Sequence, residues 1–225
     1  MYVGMAAFRR VPRVLPHLGI AFAVLAAAAA ANAAMVQTDL PCYLENRVVQ
    51  LTGSAFTPGA SYSVLRDGQV IGGGTVASDG TVTGTFSSGT LDAGVAERSF
   101  DLAVTDGTNE ATTRFRVSRF VAEFAPARGN PATLKVRFSF FGFGRPLLPI
   151  YVHYLRPGGG VARTTRLGVT QGSCGSIPRT RMRRLFPFRP AAGQWRLQFD
   201  THRSYARTAR PRIVRVVDVR SSRRR

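Results

Sequence analysis

Asp67-Gly68, Asp79-Gly80 and Asp106-Gly107 cut the chain after residue 34 into short runs rich in Val, Thr, Phe and Leu. An Asp-Gly pair between such runs signals a β-hairpin, because both residues tolerate the positive φ angles of a tight two-residue turn. The runs predict strands over residues 48–54, 61–66, 69–76, 81–86, 98–105 and 112–120. Alternation is clearest in the last two. Phe100, Leu102 and Val104 share one face, and Phe115 and Val117 share one while Arg114, Arg116 and Ser118 take the other. Short, evenly spaced strands with no long helical stretch after residue 34 predict an all-β chain built as antiparallel β-sandwiches.

The stretch Leu51-Thr-Gly-Ser-Ala-Phe-Thr-Pro-Gly-Ala-Ser-Tyr-Ser-Val-Leu-Arg-Asp-Gly68 resembles the opening of bacterial immunoglobulin-like modules of surface and secreted proteins. In those modules a strand ends in a Gly-Ser-x-Phe-x-Pro-Gly turn before the next strand and its hairpin. Val104-Thr-Asp-Gly-Thr-Asn109 followed by Phe115-Arg-Val117 is similar to their final hairpin. The resemblance covers about residues 42–120. It implies an immunoglobulin-like β-sandwich over 34–120 but no single function, since such modules serve as spacers, stalks and adhesins alike.

Residues 121–132 (VAEFAPARGNPA) hold two prolines and a glycine and predict a linker. Beyond it, Leu134, Val136, Phe138 and Phe140 alternate with Lys135, Arg137 and Ser139, and Trp195, Leu197 and Phe199 alternate with Gln194, Arg196 and Gln198. Strands over 133–140, 149–155, 161–169, 193–200 and 213–219 predict a second immunoglobulin-like sandwich, strongly basic, over 133–220. Residues 221–225 form a basic tail.

Residues 1–33 read as a signal peptide. Arg9, Arg10 and Arg13 precede an unbroken apolar run from Leu18 to Ala31, and Ala31-Asn-Ala33 places small side chains where a signal peptidase needs them. The run is shorter than the ~20 residues that span a bilayer, so cleavage near Ala33 is expected to leave no integral membrane segment. The mature protein is therefore expected outside the cytoplasm, secreted or held in the cell envelope. Arg9-Arg10 leaves twin-arginine export open beside the general route.

Export changes the reading of Cys42 and Cys174, the chain's only cysteines. An oxidising compartment favours an intramolecular disulfide between them, with free thiols or an intermolecular bridge as the alternatives.

Charge is segregated. Residues 34–119 carry nine acids and six bases, whereas residues 120–225 carry three acids (Glu123, Asp200, Asp218) and 22 bases. GC-rich coding bias accounts for arginine replacing lysine, but it does not account for this division. Such a field attracts nucleic acid, anionic lipid or acidic polysaccharide. The densest stretch is Arg179-Thr-Arg-Met-Arg-Arg-Leu-Phe-Pro-Phe-Arg189, supported by Arg203, Arg207, Arg210 and Arg212. Arg179, Arg181, Arg183, Arg184 and Arg189 supply guanidinium forks for phosphate or sulfate, and Phe186 and Phe188 supply rings that can stack. The plainer alternative is a solvated edge strand with Leu185, Phe186 and Phe188 turned into the core.

Signals for chemistry are weak. His153, Asp200 and His202 are the only group worth testing as a metal or acid–base site, against the simpler reading of an outward His153 and a polar strand end. The carboxylates of the basic half are expected to be salt-bridged by surplus arginines. Cys174, between Gly-Ser pairs, is a candidate nucleophile but reads better as half of a disulfide. Residues 106–110 (DGTNE) offer oxygens for calcium, though a hairpin turn explains them equally. Gly72–Gly74 and Gly158–Gly160 lack the spacing of a phosphate loop.

The sequence thus leads to a non-enzymatic envelope protein without metal or cofactor, whose partner is an anionic cell-surface polymer bound by the basic domain. The alternative is a structural spacer or adhesive module that binds an envelope protein.

Overall fold

The computed structural model describes residues 33–220, and those from Ala33 on form one compact unit. Residues 1–32, most of the segment read as a signal peptide, and residues 221–225 lie outside the described residues. The first eight strands are β1 (Met35–Thr38), β2 (Cys42–Leu44), β3 (Val48–Ser54), β4 (Ser61–Arg66), β5 (Gln69–Thr75), β6 (Val82–Ser87), β7 (Glu97–Thr105) and β8 (Glu110–Ser118). They make a three-stranded sheet, β1-β3-β6, and a five-stranded sheet, β2-β8-β7-β4-β5. Val49, Leu51 and Val82 from one meet Val64, Leu102 and Phe115 from the other in a shared core. The inward residues are those that alternation in the sequence assigns to one face.

The Asp-Gly pairs do not all act alike. Asp67 and Gly68 both have positive φ, 48° and 80°, and close the β4–β5 hairpin at Arg66↔Gln69. Asp106-Gly107 closes β7–β8 at Thr105↔Glu110. Asp79-Gly80, predicted as a hairpin, instead carries the chain from one sheet to the other, since β5 and β6 do not pair. The nearby chain is tied elsewhere, with the Phe56 amide donating to the Gly80 carbonyl and the Val76 amide to Ala60. One strand pair departs from the antiparallel expectation: β2 runs parallel to β8.

The remaining strands are β9 (Val121–Ala125), β10 (Lys135–Phe141), β11 (Pro149–Leu155), β12 (Val161–Val169), β13 (Arg183–Arg184), β14 (Gly193–Asp200) and β15 (Arg212–Val219). They build sheets of order β13-β10-β9 and β12-β11-β14-β15. Between them lies a second core, with Phe138, Phe140, Tyr154, Leu197 and Phe199 fully or almost fully buried. Residues 121–125, predicted as linker, form β9 and pair with β10 from Val121↔Phe141 to Arg137↔Ala125. Ala122 is wholly buried, so this segment belongs to the second sandwich.

The sandwiches are joined covalently. Cys42, opening β2, is bonded to Cys174, with a Cα–Cα separation of 5.2 Å. Beside the bond, Ser176 donates a hydrogen bond to Glu97 across the junction. Among the described residues no helix is long and apolar enough to cross a membrane.

Candidate anion-binding surface

Every arginine–carboxylate ion pair among the described residues lies in the acidic half: Arg98–Asp67, Arg114–Asp101, Arg116–Glu97 and Arg119–Glu45. Within residues 120–220 no described Arg or Lys pairs with a carboxylate. The expectation that the basic half's acids would be bridged by arginines is therefore corrected. Asp200 is held by His153, Gln198 and the His202 amide, and Asp218 accepts from Gln194. Arg156, Arg183 and Arg215 donate to backbone carbonyls, and the other side-chain cations of this half make no hydrogen bond or ion pair among the described residues.

Residues 177–185 run along the free side of β10. Thr180 exchanges two hydrogen bonds with the Phe138 backbone, and Arg183 and Arg184 pair with Val136 and Lys135. Arg179, Arg181 and Arg184 are exposed, whereas Arg183 is half-buried. The Arg183 guanidinium donates to the carbonyls of Arg166 and Leu167 on β12 and so ties the edges of the two facing sheets together. Arg189 is exposed and makes no hydrogen bond or ion pair among the described residues.

The aromatic part of the motif is not available for stacking. Leu185 and Phe186 are buried, and Phe186 packs against Tyr154, Phe188 and Trp195. Phe188 is half-buried against the same Tyr154 and Trp195. The interleaved aromatics are core residues, and Arg179, Arg181, Arg184 and Arg189 face outward together with Met182.

Around the edge, the outer face of the four-stranded sheet adds cations the linear motif does not contain. Register places Arg166, Tyr151, Asp200 and Arg212 in one row and Thr164, His153, Gln198 and Val214 in the next. Tyr151, Thr164, Arg166 and Arg203 line a recess of about 450 Å³. Exposed side chains thus follow one another from Arg203 to Arg166, past Arg183 to Arg184 and Lys135. Sequence reading missed Lys135 and Arg166 as members of this belt. Both sit at alternating strand positions, and only strand pairing across 49 residues joins Lys135 to Arg184.

The His153 group is brought together, but not as a metal or acid–base site. His153 was expected outward; it does point to the outer face, yet residues 201–211 roof it over and leave it fully buried. Its Nε2 lies 3.3 Å from Asp200 Oδ1 and 3.1 Å from the His202 carbonyl, and its Nδ1 lies 2.8 Å from the Thr164 hydroxyl. Both nitrogens are therefore occupied. Burial alone would raise the Asp200 carboxyl pKa, but hydrogen bonds from His153, Gln198 and the His202 amide outweigh it and hold the group below its usual range. With Nε2 facing two acceptors, it carries a hydrogen. Gln198 also donates to the Ala206 carbonyl. The network pins the loop that carries Arg203, Arg207 and Arg210, which is a positioning role. Among the described residues no three His, Cys, Asp or Glu side chains are placed to hold a metal.

Two other candidates resolve into structure. Cys174 is spent in the disulfide. The Asp106 carboxylate accepts from the amides of Thr57, Thr108 and Asn109 and from the Asn109 side chain, which drives its pKa far down and leaves it facing donors rather than a cation.

No protein-family model matches the sequence, and no curated protein matches it. Solved structures similar to the chain include the human OSCAR ligand-binding domain, at 10% identity and TM-score 0.32 over 84% of this chain and 98% of that one. Others are the titin Ig tandem domains A164-A165, at 13% and 0.33 over 82% and 95%, and trypsin-activated alpha-2-macroglobulin from Escherichia coli, at 14% and 0.29 over 83% and 15%.

Proposed function

We propose that this chain is a secreted, non-enzymatic protein of the cell envelope whose basic sandwich binds anionic surface polymers. The observation that carries the reading is the distribution of ion pairs. The acidic half matches four of its arginines to carboxylates, while the described cations of residues 120–220 have none. Lys135 directly opposite Arg184 destabilises the sheet, because like charges in register repel, and a bound polyanion would offset that repulsion. An extended polymer bearing phosphate, sulfate or carboxylate would neutralise that belt, with Arg supplying bidentate contacts. The immunoglobulin-like resemblance of residues 42–120 suits a module that holds the basic sandwich away from its attachment point.

The test is to incubate the mature chain with native envelope, wash at physiological salt and identify what is retained. The reading predicts an anionic polymer that is released by salt. Retention by a protein partner, unaffected by salt, would replace it with an adhesive role.

A further inference from the structure

A second cationic feature borders the belt at Arg210 and Arg212 but opens toward the junction of the sandwiches. A cleft of about 550 Å³ opens between the two sandwiches, lined by Leu44 and Arg47 from the first and by Arg210, Pro211 and Arg212 from the second, with Phe120 at the junction. Thr208 adds a hydroxyl, and no carboxylate lines the space. Glu45, two residues before Arg47 in the chain, is committed to Arg119 and the Leu91 amide. The Arg47, Arg210 and Arg212 side chains make no hydrogen bond or ion pair among the described residues.

Three arginines, on loops and strand ends from two sandwiches, line one cleft because the chain fixes both lips. The Arg47 backbone exchanges hydrogen bonds with Ser88, and Arg212 opens β15 opposite Asp200. The disulfide and the Ser176–Glu97 bond hold the sandwiches together at another point of the junction. At the cleft itself Gly142, with φ 77°, sits where a Cβ would strike the Arg119 carbonyl and the Leu44 side chain. Phe120 is 37% exposed, and its ring packs at 5.1 Å on Phe143, which is buried. The ring is thus supported on one side while part of it faces the cleft. Its neighbours Leu44 and Pro211 are apolar as well.

We infer that this cleft binds a ring-bearing oxyanion, with a phosphate, sulfate or carboxylate held by Arg47, Arg210 and Arg212 and the ring laid on Phe120. Guanidinium forks supply the charge-assisted hydrogen bonds, and the aromatic face selects a flat or CH-lined ring over a bare ion. An acidic sugar and an aromatic phosphate both answer to that chemistry. The site uses Arg47 from the acidic half, so it belongs to the whole chain and not to the basic sandwich alone.

The experiment titrates the mature protein by calorimetry at physiological salt with glucose 1-phosphate, phenyl phosphate and inorganic phosphate. At least one ring-bearing probe should bind tenfold or more tightly than inorganic phosphate, and which one does so separates the sugar from the aromatic source. Arg47→Gln, at an exposed position, should weaken that probe at least fivefold. Phe120→Ala should reduce it to the level of inorganic phosphate. Neither change should alter salt-dependent retention on heparin, which reads the belt. Equal affinity for all three probes, or an unchanged affinity in Arg47→Gln protein that melts like the parent, would overturn the inference. Loss of heparin retention in the parent with probe binding intact would instead count against the polymer reading alone.

Discussion

Lys135 and Arg184 occupy directly opposed positions on β10 and β13, two exposed cations in register, and neither is ion-paired among the described residues. In a sheet, such a pair is repulsive by a few tenths to ~1 kcal/mol. Arg184→Thr should therefore raise stability by about that amount in urea unfolding while weakening polyanion retention. A variant that loses stability would show that Arg184 serves the fold and not a ligand.

The disulfide closes a loop with a sequence separation of 132, which in the chain-entropy account is worth about 5 kcal/mol. Replacing Cys42 and Cys174 with serine should lower the unfolding midpoint substantially. It should also weaken ligands of the inter-sandwich cleft more than ligands of the belt, because only the cleft needs both lips. Differential calorimetry with both probe types reads the two effects. Equal weakening of both would contradict the division into two sites.

Asp200 connects loop position to pH. Its carboxyl pKa is held below the usual value near 4, so its contribution to stability is complete above that value. The contribution is lost as pH falls toward and through the lowered pKa. Acid unfolding below about pH 4 should therefore flatten in Asp200→Asn. At neutral pH the same substitution should destabilise by ~3 kcal/mol or more, because it breaks a buried charged network and sets two amide donors face to face at Gln198. Unfolding curves at pH 3 and pH 7 check both parts. A neutral-pH stability equal to the parent's would show that the network does not hold the loop.

Gly142 reports on the junction. Gly142→Ala combines a positive φ with a Cβ clash against backbone, so a loss of more than ~1 kcal/mol is expected, read by denaturant midpoint. A loss no larger than a few tenths would mean the sandwiches can separate there.

Much of the fold was legible in the sequence, for a simple reason. Strands such as 48–54, 61–66, 149–155 and 161–169 carry their period and their boundaries locally, and the structure places β3, β4, β11 and β12 at those bounds. The missed strands are those whose definition is not local. β1, β2 and β13 span four residues or fewer, too short to show alternation, and exist through partners far along the chain. β9 was hidden by the prolines that follow it at 126 and 131, although Val121, Ala122 and Phe124 carried an apolar signal. At the site, charge segregation was plain from composition, and the Arg179–Arg184 stretch lies where an edge strand would put it. The roofing of His153 by residues 201–211 was not legible, since a polar residue at an outward position is normally taken to meet solvent.

The most direct measurement of the central claim is the salt dependence of binding between the full mature chain and the native anionic envelope polymer. Affinity is measured from 50 to 200 mM salt for the parent and for a variant with Lys135, Arg166, Arg184 and Arg203 changed to Gln. With about five contacts on a polymer as highly charged as duplex DNA, the parent should lose on the order of 500-fold across that range, and the variant's slope should fall by roughly 3.6. The parent should still be bound at physiological salt, and the variant should melt no lower than the parent, since it removes the Lys135–Arg184 repulsion. If parent and variant show the same slope, or neither binds at physiological salt, the unpaired cations are not a polymer-binding surface.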